Sequence, residues 1–137
     1  MLHHFHIVLA VAGFIVDEKK RILIVHKGLE EKVDAGLWTV PGGKINKEEP
    51  ILVGLKRELL EEVGLTLTTA EWFGEDVFES NGFWFHGQHF VCEVEKTAPV
   101  ILEKKLLEYK WITKKDIEKY EFHPSIKAAL LKVFGFV

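Results

Sequence analysis

The sequence predicts a single domain of mixed α/β (α+β) class over residues 1–137. A chain of 137 residues suits one domain and buries enough surface for a core without disulfide or metal staples. Short β-branched apolar runs alternate along it with two stretches of helical periodicity. Because 47% of the residues are hydrophobic and 28% are charged, the composition is that of an ordinary globular protein rather than a disordered one.

Charge and hydropathy exclude several classes of protein. A net charge of -3 argues against a binder of duplex nucleic acid, which usually presents a basic surface. The longest apolar stretch, residues 7–16, is about half the length that a membrane-spanning helix needs, and no charged segment precedes it. The single cysteine, Cys92, excludes an internal disulfide and suits a small buried strand residue. We therefore expect a cytoplasmic protein without a membrane anchor.

The first part of the chain predicts strands. Two apolar runs, residues 7–16 and 21–27, flank a polar segment and indicate a β-hairpin. The polar, glycine-bounded segment 28–36 indicates a loop. Residues 37–40 then form a short predicted strand, which we expect the following Pro41-Gly42-Gly43 to end.

Residues 49–63 carry the best-supported helix of the chain. Pro50 suits a first helical position, and Gly64 is a natural C-terminal stop. The apolar residues recur at helical spacing and are Ile51, Leu52, Leu55 and Leu59.

The second part of the chain predicts further strands and a closing helix. Strand-like runs occupy residues 65–68, 83–85, 89–95 and 109–113, with turn-prone segments at 80–82 and 98–99. His86 and His89 flank a glycine close to the first of these turns. The closing helix is expected from Pro124 or Ser125 to Phe134, and its apolar face comprises Ile126, Ala129, Leu130 and Val133.

Three glutamates of the first helix indicate metal chemistry. Glu58, Glu61 and Glu62 stand at i, i+3 and i+4 and therefore share one helix face. Like charges at this spacing cost an isolated helix roughly 0.2–0.5 kcal/mol per pair unless a cation offsets them. Oxygen ligands favour a hard ion such as Mg²⁺ or Mn²⁺. Three glutamates alone are more often a solvated helix face, so the residues around them decide the interpretation.

Those surrounding residues carry a family signature. The pattern is a glycine, five residues, Glu, seven residues, then Arg-Glu-U-x-Glu-Glu-x-Gly-U, where U is a bulky aliphatic residue. Nine positions of this chain match it: Gly43, Glu49, Arg57, Glu58, Leu59, Glu61, Glu62, Gly64 and Leu65. The chain therefore resembles the Nudix hydrolases, a family that includes MutT-like nucleoside triphosphate pyrophosphohydrolases. This resemblance implies an α/β/α sandwich around a mixed β-sheet.

The resemblance also implies roles for individual residues. The carbonyl of Gly42 and the carboxylates of Glu58, Glu61 and Glu62 would bind Mg²⁺, with Mn²⁺ as a substitute. Glu49 and Arg57 would hold the loop and helix in register, and Gly43 and Gly64 are structural positions of the motif. Helix geometry independently lets Arg57 reach Glu49 two turns earlier or brace a metal-binding carboxylate.

The implied reaction is attack of water on a phosphorus of a pyrophosphate linkage. Glu58, oriented by Arg57, is our first choice for the catalytic group that accepts the proton. Residues of later loops are the alternatives, because relatives also use acidic or histidine side chains there. The candidates in this chain are Glu103, Glu108 and His123.

Substrate choice has weaker signals. MutT-like relatives read the purine with an asparagine shortly before the proline of the last helix, and the matching position here is Phe122, which argues against oxidised-guanine specificity. Candidate substrate contacts are Phe122, His123 and Trp84, with Phe85 as a further stacking residue, although aromatic residues of a small domain more often belong to the core.

The leading functional prediction is hydrolysis of a nucleoside triphosphate, a small-molecule nucleotide, to the monophosphate. One alternative is a hydrolase of ADP-ribose or nucleotide sugars. Another is a non-catalytic, nucleotide-sensing domain, which would not require all three glutamates. Whether the chain is a monomer or a homodimer stays open.

Overall fold

The computed structural model describes residues 6–137, which form seven β-strands, two α-helices and one 3-10 helix. The strands are β1 (Ile7–Ile15), β2 (Ile22–Lys27), β3 (Trp38–Thr39), β4 (Gly42–Lys44), β5 (Leu67–Ser80), β6 (Phe83–Val94) and β7 (Leu106–Ile112). The helices are α1 (Ile51–Val63) and α2 (Pro124–Phe136), and the 3-10 helix is Lys114–Lys119.

The strands form two sheets. The larger has the order β4-β1-β6-β5, in which β1 runs parallel to β6 and the other pairs are antiparallel. The smaller has the order β3-β2-β7 and is antiparallel throughout. The prediction of a mixed sheet is therefore confirmed.

Helices α1 and α2 cover opposite faces of this β layer. Successive side chains of a strand point to opposite faces, so Val11 and Ile15 of β1 pack in the cluster under α1, whereas Phe14 packs in the cluster under α2. Strand β2 divides in the same way. Its residues Leu23 and Val25 face α1, and Ile22 and Ile24 face α2. The expected α/β/α sandwich is confirmed.

The predicted hairpin of β1 and β2 is wrong in its pairing, although both strands exist. The polar turn forms, with the Asp17 carboxylate accepting bonds from the backbone N–H groups of Lys19 and Arg21. The strands then diverge into different sheets and share one bridge, Val16 to Ile22. Because β4 and β6 occupy the two sides of β1, its backbone groups are paired with them instead.

The Pro41-Gly42-Gly43 segment does more than end a strand. It closes β3, which is shorter than the predicted 37–40, and then carries the chain into the other sheet as β4, which the sequence did not predict. A Cβ atom on Gly42 would collide with the carbonyl oxygen of Val11. Glycine is therefore needed for the close approach of β4 to β1.

The hairpin of β5 and β6 is longer than predicted. Of the strand expected at 65–68, only residues 67 and 68 are strand, at the start of β5. The runs 83–85 and 89–95 belong to one continuous strand, β6, which ends at Val94. The turn between β5 and β6 is as predicted, with Asn81 and Gly82 at positive φ. The missed part of β5 contains residues with low strand propensity, namely Glu71, Glu75, Asp76 and Glu79. His86 and His89 lie in this hairpin, as expected, within β6.

The helices follow the sequence prediction closely. Helix α1 begins at Ile51, so Pro50 is the N-cap rather than the first helical residue, and Gly64 ends it in the left-handed conformation with φ 69°. Leu52, expected on the buried face, is exposed because α1 turns the face of Leu55 and Leu59 to the sheet. The four apolar residues predicted for α2 are all buried, and the helix continues to Phe136.

The remaining predictions concern the end of the chain and the cysteine. The strand expected at 109–113 is β7, which starts earlier, and the 3-10 helix after it was not predicted. Cys92 is fully buried in β6, as expected, and burial raises the pKa of its thiol to about 12. Neither α-helix within residues 6–137 is long and apolar enough to span a bilayer.

Two adjacent leucines of α1 test the packing of this helix. Leu59 is fully buried, and its side chain lies against Gly13 of β1, whereas Leu60 is 54% exposed. We expect Leu59→Ala to lower the free energy of unfolding by about 2–5 kcal/mol, because it leaves a cavity in the core. The matched Leu60→Ala should change it by less than about 0.5 kcal/mol. Equal losses in urea denaturation would contradict the orientation of α1.

Candidate active site

A cleft of about 590 Å³ opens between β1, β4, the loop 28–36 and the acidic face of α1. Glu58, Glu62, Gly42 and Gly43 lie together in its wall. The loop predicted at 28–36 is confirmed and forms another part of the lining. The signature residues of α1 thus meet the double glycine of β4 in one place.

Arg57 organises the polar side of the cleft. Its Nε and Nη2 donate to the two carboxylate oxygens of Glu49 at 2.7 and 2.8 Å, a bidentate pair. Nη1 donates to Glu58 at 2.9 Å and to Glu61 at 3.1 Å, and Nη2 also reaches the carbonyl of Lys44 at 3.1 Å. The contact from Arg57 to Glu49 that helix geometry allowed is present. These bonds tie α1 to β4 and to the loop between them.

Glu49 is the fixed end of this arrangement. The hydrogen bonds from Arg57, and then the backbone N–H of Asn46, hold the pKa of Glu49 down at about 2. The carboxylate is therefore ionised throughout the neutral range. The hydrogen bonds to Glu49 raise the pKa of the Arg57 guanidinium, and burial, which acts in the opposite direction, does not cancel this rise.

Glu58 lies over the backbone of Gly43. Its side chain is only 13% exposed, and a Cβ atom on Gly43 would collide with its carboxylate. Burial raises the pKa of Glu58, and the Arg57 hydrogen bond offsets part of that rise. The glycine at position 43 therefore makes room for a carboxylate that burial predisposes to take up a proton.

Glu62 is the most buried of the three glutamates. The backbone N–H of Gly42 donates to its Oε1 at 2.6 Å, and the residue is 6% exposed. Burial raises the pKa of Glu62 to about 7, although the Gly42 bond and the Lys105 charge act in the opposite direction. The protein alone therefore offsets only part of the desolvation cost of an ionised Glu62 carboxylate.

Glu61 completes the acidic face and is 54% exposed on its side chain. As the sequence predicted, the three glutamates project from one face of α1, but each is engaged by the protein. Within residues 6–137, no three His, Cys, Asp or Glu side chains already converge as a preformed metal site.

The donor set nevertheless fits a hard divalent cation. It consists of carboxylate oxygens beside the backbone of a double glycine, and oxygen donors suit Mg²⁺ and Mn²⁺. The buried, weakly compensated Glu62 is the structural observation that favours a cation here. Because Arg57 now bonds both Glu58 and Glu61, a cation would take over part of the charge neutralisation that Arg57 supplies.

Four lysines also line the cleft, and sequence reasoning missed them. They are Lys27, Lys32, Lys44 and Lys105. Burial lowers the pKa of Lys105, but the surrounding carboxylates, Glu62 foremost, outweigh it and raise the pKa overall. Nothing in one sequence distinguishes these lysines from surface charges, because they come from four separate segments.

A further residue that the sequence did not reveal is Gly54, which is buried inside α1. A Cβ atom there would collide with Ile45, so this glycine lets the helix approach the segment that follows β4. The signal was present, since glycine in a helix interior costs roughly 1 kcal/mol relative to alanine and needs a packing reason.

The alternative proton acceptors lie in different places. Glu103 is next to the acidic face, with its N–H bonded to the carbonyl of Glu62 at 2.9 Å and its carboxylate 3.7 Å from Lys105. Glu108 lies on β7 with its carboxylate 3.4 Å from His26. His123 caps the start of α2. The structure thus brings Glu103 to the carboxylate site and places Glu108 and His123 elsewhere.

The candidate substrate contacts are also separated. Among the described residues, the cleft lining includes Phe85, together with Phe78, but not Trp84, Phe122 or His123. Trp84 is 41% exposed on β6, where its side chain points to the opposite face from that of Phe85. Phe122 packs at the edge of the core under α2. Phe78, which stacks on Phe85 with centroids 5.0 Å apart, was not anticipated.

Comparison with known proteins identifies the family. The NUDIX domain matches residues 6–133, so the chain belongs to the Nudix family. The prediction from the Gly43 to Leu65 signature is confirmed, as is the assignment to the Nudix hydrolases. The family match extends far beyond the signature and includes both sheets and most of α2.

Named relatives and a solved structure agree with this assignment. The chain is 30% identical over 112 residues to an 8-oxo-dGTP diphosphatase of Buchnera aphidicola subsp. Schizaphis graminum, covering 82% of each chain. It is 32% identical over 76 residues to the CTP pyrophosphohydrolase of Escherichia coli, covering 56% of each. A MutT protein structure from Methanosarcina mazei Go1 superposes with a TM-score of 0.83 at 27% identity, covering 98% of this chain and 96% of the other.

The raised pKa of Glu62 predicts how the metal-free protein responds to pH. Its contribution to stability is fully present below the unfolded value near 4.5 and is lost as pH rises through about 7. We expect Glu62→Gln to remove much of this loss, making the metal-free variant more stable than wild type at pH 8 by about 2–3 kcal/mol.

The control for that experiment is Glu61→Gln, which removes an exposed carboxylate from the same helix face. It should leave the pH dependence of the melting temperature, measured in chelator between pH 5 and pH 8, close to that of wild type. If Glu62→Gln is no more stable than wild type at pH 8, the burial cost assigned to Glu62 is wrong.

Proposed function

We propose that this protein is a Mg²⁺-dependent nucleoside triphosphate pyrophosphohydrolase that releases a nucleoside monophosphate and pyrophosphate, with Mn²⁺ able to replace Mg²⁺. The observation that carries the proposal is the juxtaposition of buried carboxylates and lysines in one cleft. Glu58 and Glu62 offer a cation site, and Lys44 and Lys105 line the same cleft. Such a site suits a polyphosphate chelated to a divalent ion.

Each signature residue has a proposed task. Glu58, Glu61, Glu62 and the Gly42 carbonyl would hold the cation, and Arg57 with Glu49 keeps α1 and β4 at a fixed separation. A bound Mg²⁺ would polarise the phosphoryl oxygens and lower the pKa of the attacking water. Arg57 holds Glu58 Oε1, which leaves Oε2 to accept the proton from water.

Glu103 is the second candidate for the proton acceptor. Its carboxylate lies beside Lys105, and its backbone is hydrogen bonded to Glu62. Glu103→Gln distinguishes the two in single-turnover assays at saturating Mg²⁺, because loss of the proton acceptor lowers the chemical rate by roughly 10²–10⁴-fold. Glu58→Gln would not distinguish them, because Glu58 is also a proposed metal ligand.

The aromatic end of the cleft is the proposed place of the nucleobase. Phe78 and Phe85 stack almost parallel, at 3°, and Lys44 Nζ lies 5.9 Å from the Phe85 ring centre. Stacking of a nucleobase on an aromatic ring contributes about 1–3 kcal/mol to binding, and any base can stack in this way. The named relatives act on a purine and on a pyrimidine triphosphate, and this arrangement alone favours neither.

A substrate panel tests the proposal. We expect release of pyrophosphate from nucleoside triphosphates, including 8-oxo-dGTP and CTP, that depends on Mg²⁺ and is lost in Glu61→Gln or Glu62→Gln. ADP-ribose and nucleotide sugars belong in the same panel. A preference for either would replace the triphosphate assignment, and nucleotide binding without turnover of any member would support a sensing role instead.

Lys105 provides a test with effects of opposite sign. Its charge lies among carboxylates, so it should repel a metal ion and attract a phosphate. We expect Lys105→Gln to bind Mn²⁺ alone more tightly and to have a higher KM for the triphosphate, each by on the order of tenfold. The neighbouring Lys104→Gln is the control, because Lys104 is exposed outside the cleft lining. Changes of the same sign in both measurements would contradict this placement of Lys105.

A further inference from the structure

A chain of four polar side chains connects the larger sheet to the start of α2, outside the cleft lining. The Nε2 atom of His89 lies 3.2 Å from Oδ1 of Asp76. The hydroxyl of Ser125 donates to Oδ2 of Asp76 at 3.0 Å, and its oxygen lies 2.8 Å from Nδ1 of His123. Strands β5 and β6 and helix α2 are thus joined through polar groups, and none of these groups belongs to the proposed catalytic set.

Neighbouring residues of β6 and α2 hold the carboxylate of Asp76 in place. Its side chain is 15% exposed and that of His89 is 6% exposed. The His89 ring packs on Phe14 of the core, with centroids 5.3 Å apart. Gly87 stands opposite Asp76 in the register of β5 and β6, and a Cβ atom there would collide with Oδ1. The glycine lets the carboxylate cross the neighbouring strand to reach His89.

Asp76 controls the hydroxyl of Ser125. Burial raises the pKa of Asp76, but the hydrogen bonds from His89 and Ser125 outweigh it, so the pKa is lowered overall. The ionised carboxylate can only accept hydrogen bonds, and the hydroxyl has one proton. Asp76 and Nδ1 of His123 therefore compete for that proton whenever Nδ1 is unprotonated. The backbone N–H of Ser125 also donates to Nδ1, at 3.1 Å, which caps α2.

The chain ends at the aromatic wall of the cleft. The ring of His123 contacts that of Phe78, with centroids 6.0 Å apart, and Phe78 stacks on Phe85. Both phenylalanines line the cleft, whereas His123 does not. A change in the orientation of the His123 ring would therefore reach the cleft through Phe78.

We propose that Asp76 and Ser125 are positioning residues that fix His123 against Phe78 and so set the affinity for the nucleobase end of the substrate. This inference rests on the proposed function, because it takes the cleft to be a nucleotide site. It assigns a role to two residues that the family signature does not include.

The test separates the two ends of the substrate. Binding of guanosine and cytidine α,β-methylene triphosphates is compared with binding of inorganic tripolyphosphate, which has no base, by calorimetry in Mg²⁺. We expect Asp76→Asn and Ser125→Ala to weaken nucleotide binding by about tenfold and to leave tripolyphosphate binding within about twofold. Ser125→Thr keeps the hydroxyl and should retain wild-type affinity.

Glu75→Gln is the matched control, because it removes the neighbouring charge on β5, whose carboxylate bonds Gln88 rather than this chain. A second readout is independent of ligand binding. The ¹⁵N resonance of His123 Nδ1 should shift in Asp76→Asn, since the Ser125 hydroxyl is then free to turn to the ring.

Three outcomes would overturn the inference. If wild type binds the nucleotides and Asp76→Asn and Ser125→Ala bind them equally well, the inference is wrong and the proposed function is unaffected. Equal loss of nucleotide and tripolyphosphate binding shows general damage rather than positioning. A wild-type protein that binds neither nucleotide removes both the inference and the proposed function.

Discussion

The guanidinium of Arg57 joins three neighbouring parts of the active-site region through hydrogen bonds. It clamps Glu49 in the loop before α1, reaches the carbonyl of Lys44 in β4, and bonds Glu58 and Glu61 on the acidic face. A point charge could not make this set of contacts, because it requires a planar fork with several donors. Without it, the repulsion among the α1 carboxylates would lose its nearest positive charge, and only the bond from Gly42 to Glu62 would hold the acidic face to the double glycine.

The hydrogen bonds of Arg57 form where the chain crosses from the smaller sheet to the larger one. Residues 38–44 leave the smaller sheet as β3 and enter the larger as β4, and Gly42 and Gly43 lie where the acidic face meets the strand. Gly42 donates its N–H to Glu62, and Gly43 leaves room for Glu58. The same segment therefore connects the two sheets and forms part of the cleft wall. Both roles require close backbone approach, which accounts for the two consecutive glycines.

The features that depend on local residue spacing could be predicted from the sequence. The helix from Ile51 to Val63, the shared face of Glu58, Glu61 and Glu62 and the buried face of α2 follow from periodicity, and the structure confirms them. Strand pairing was harder to predict from the sequence, because it depends on which strands compete for the same neighbour. Thus β1 and β2 read as a hairpin but lie in different sheets. Lys105, Phe78 and Asp76 could not be found, since only the fold brings them to the cleft or to α2.

The central claim is that the acidic face of α1 binds a catalytic divalent cation while Arg57 holds it in register with β4. Titration of the folded protein with Mn²⁺, followed by electron paramagnetic resonance, tests this most directly. We predict that wild type binds Mn²⁺, that Glu58→Gln and Glu61→Gln bind it at least about tenfold more weakly, and that both variants keep the wild-type fold. Equal Mn²⁺ affinity in wild type and both variants would contradict the account.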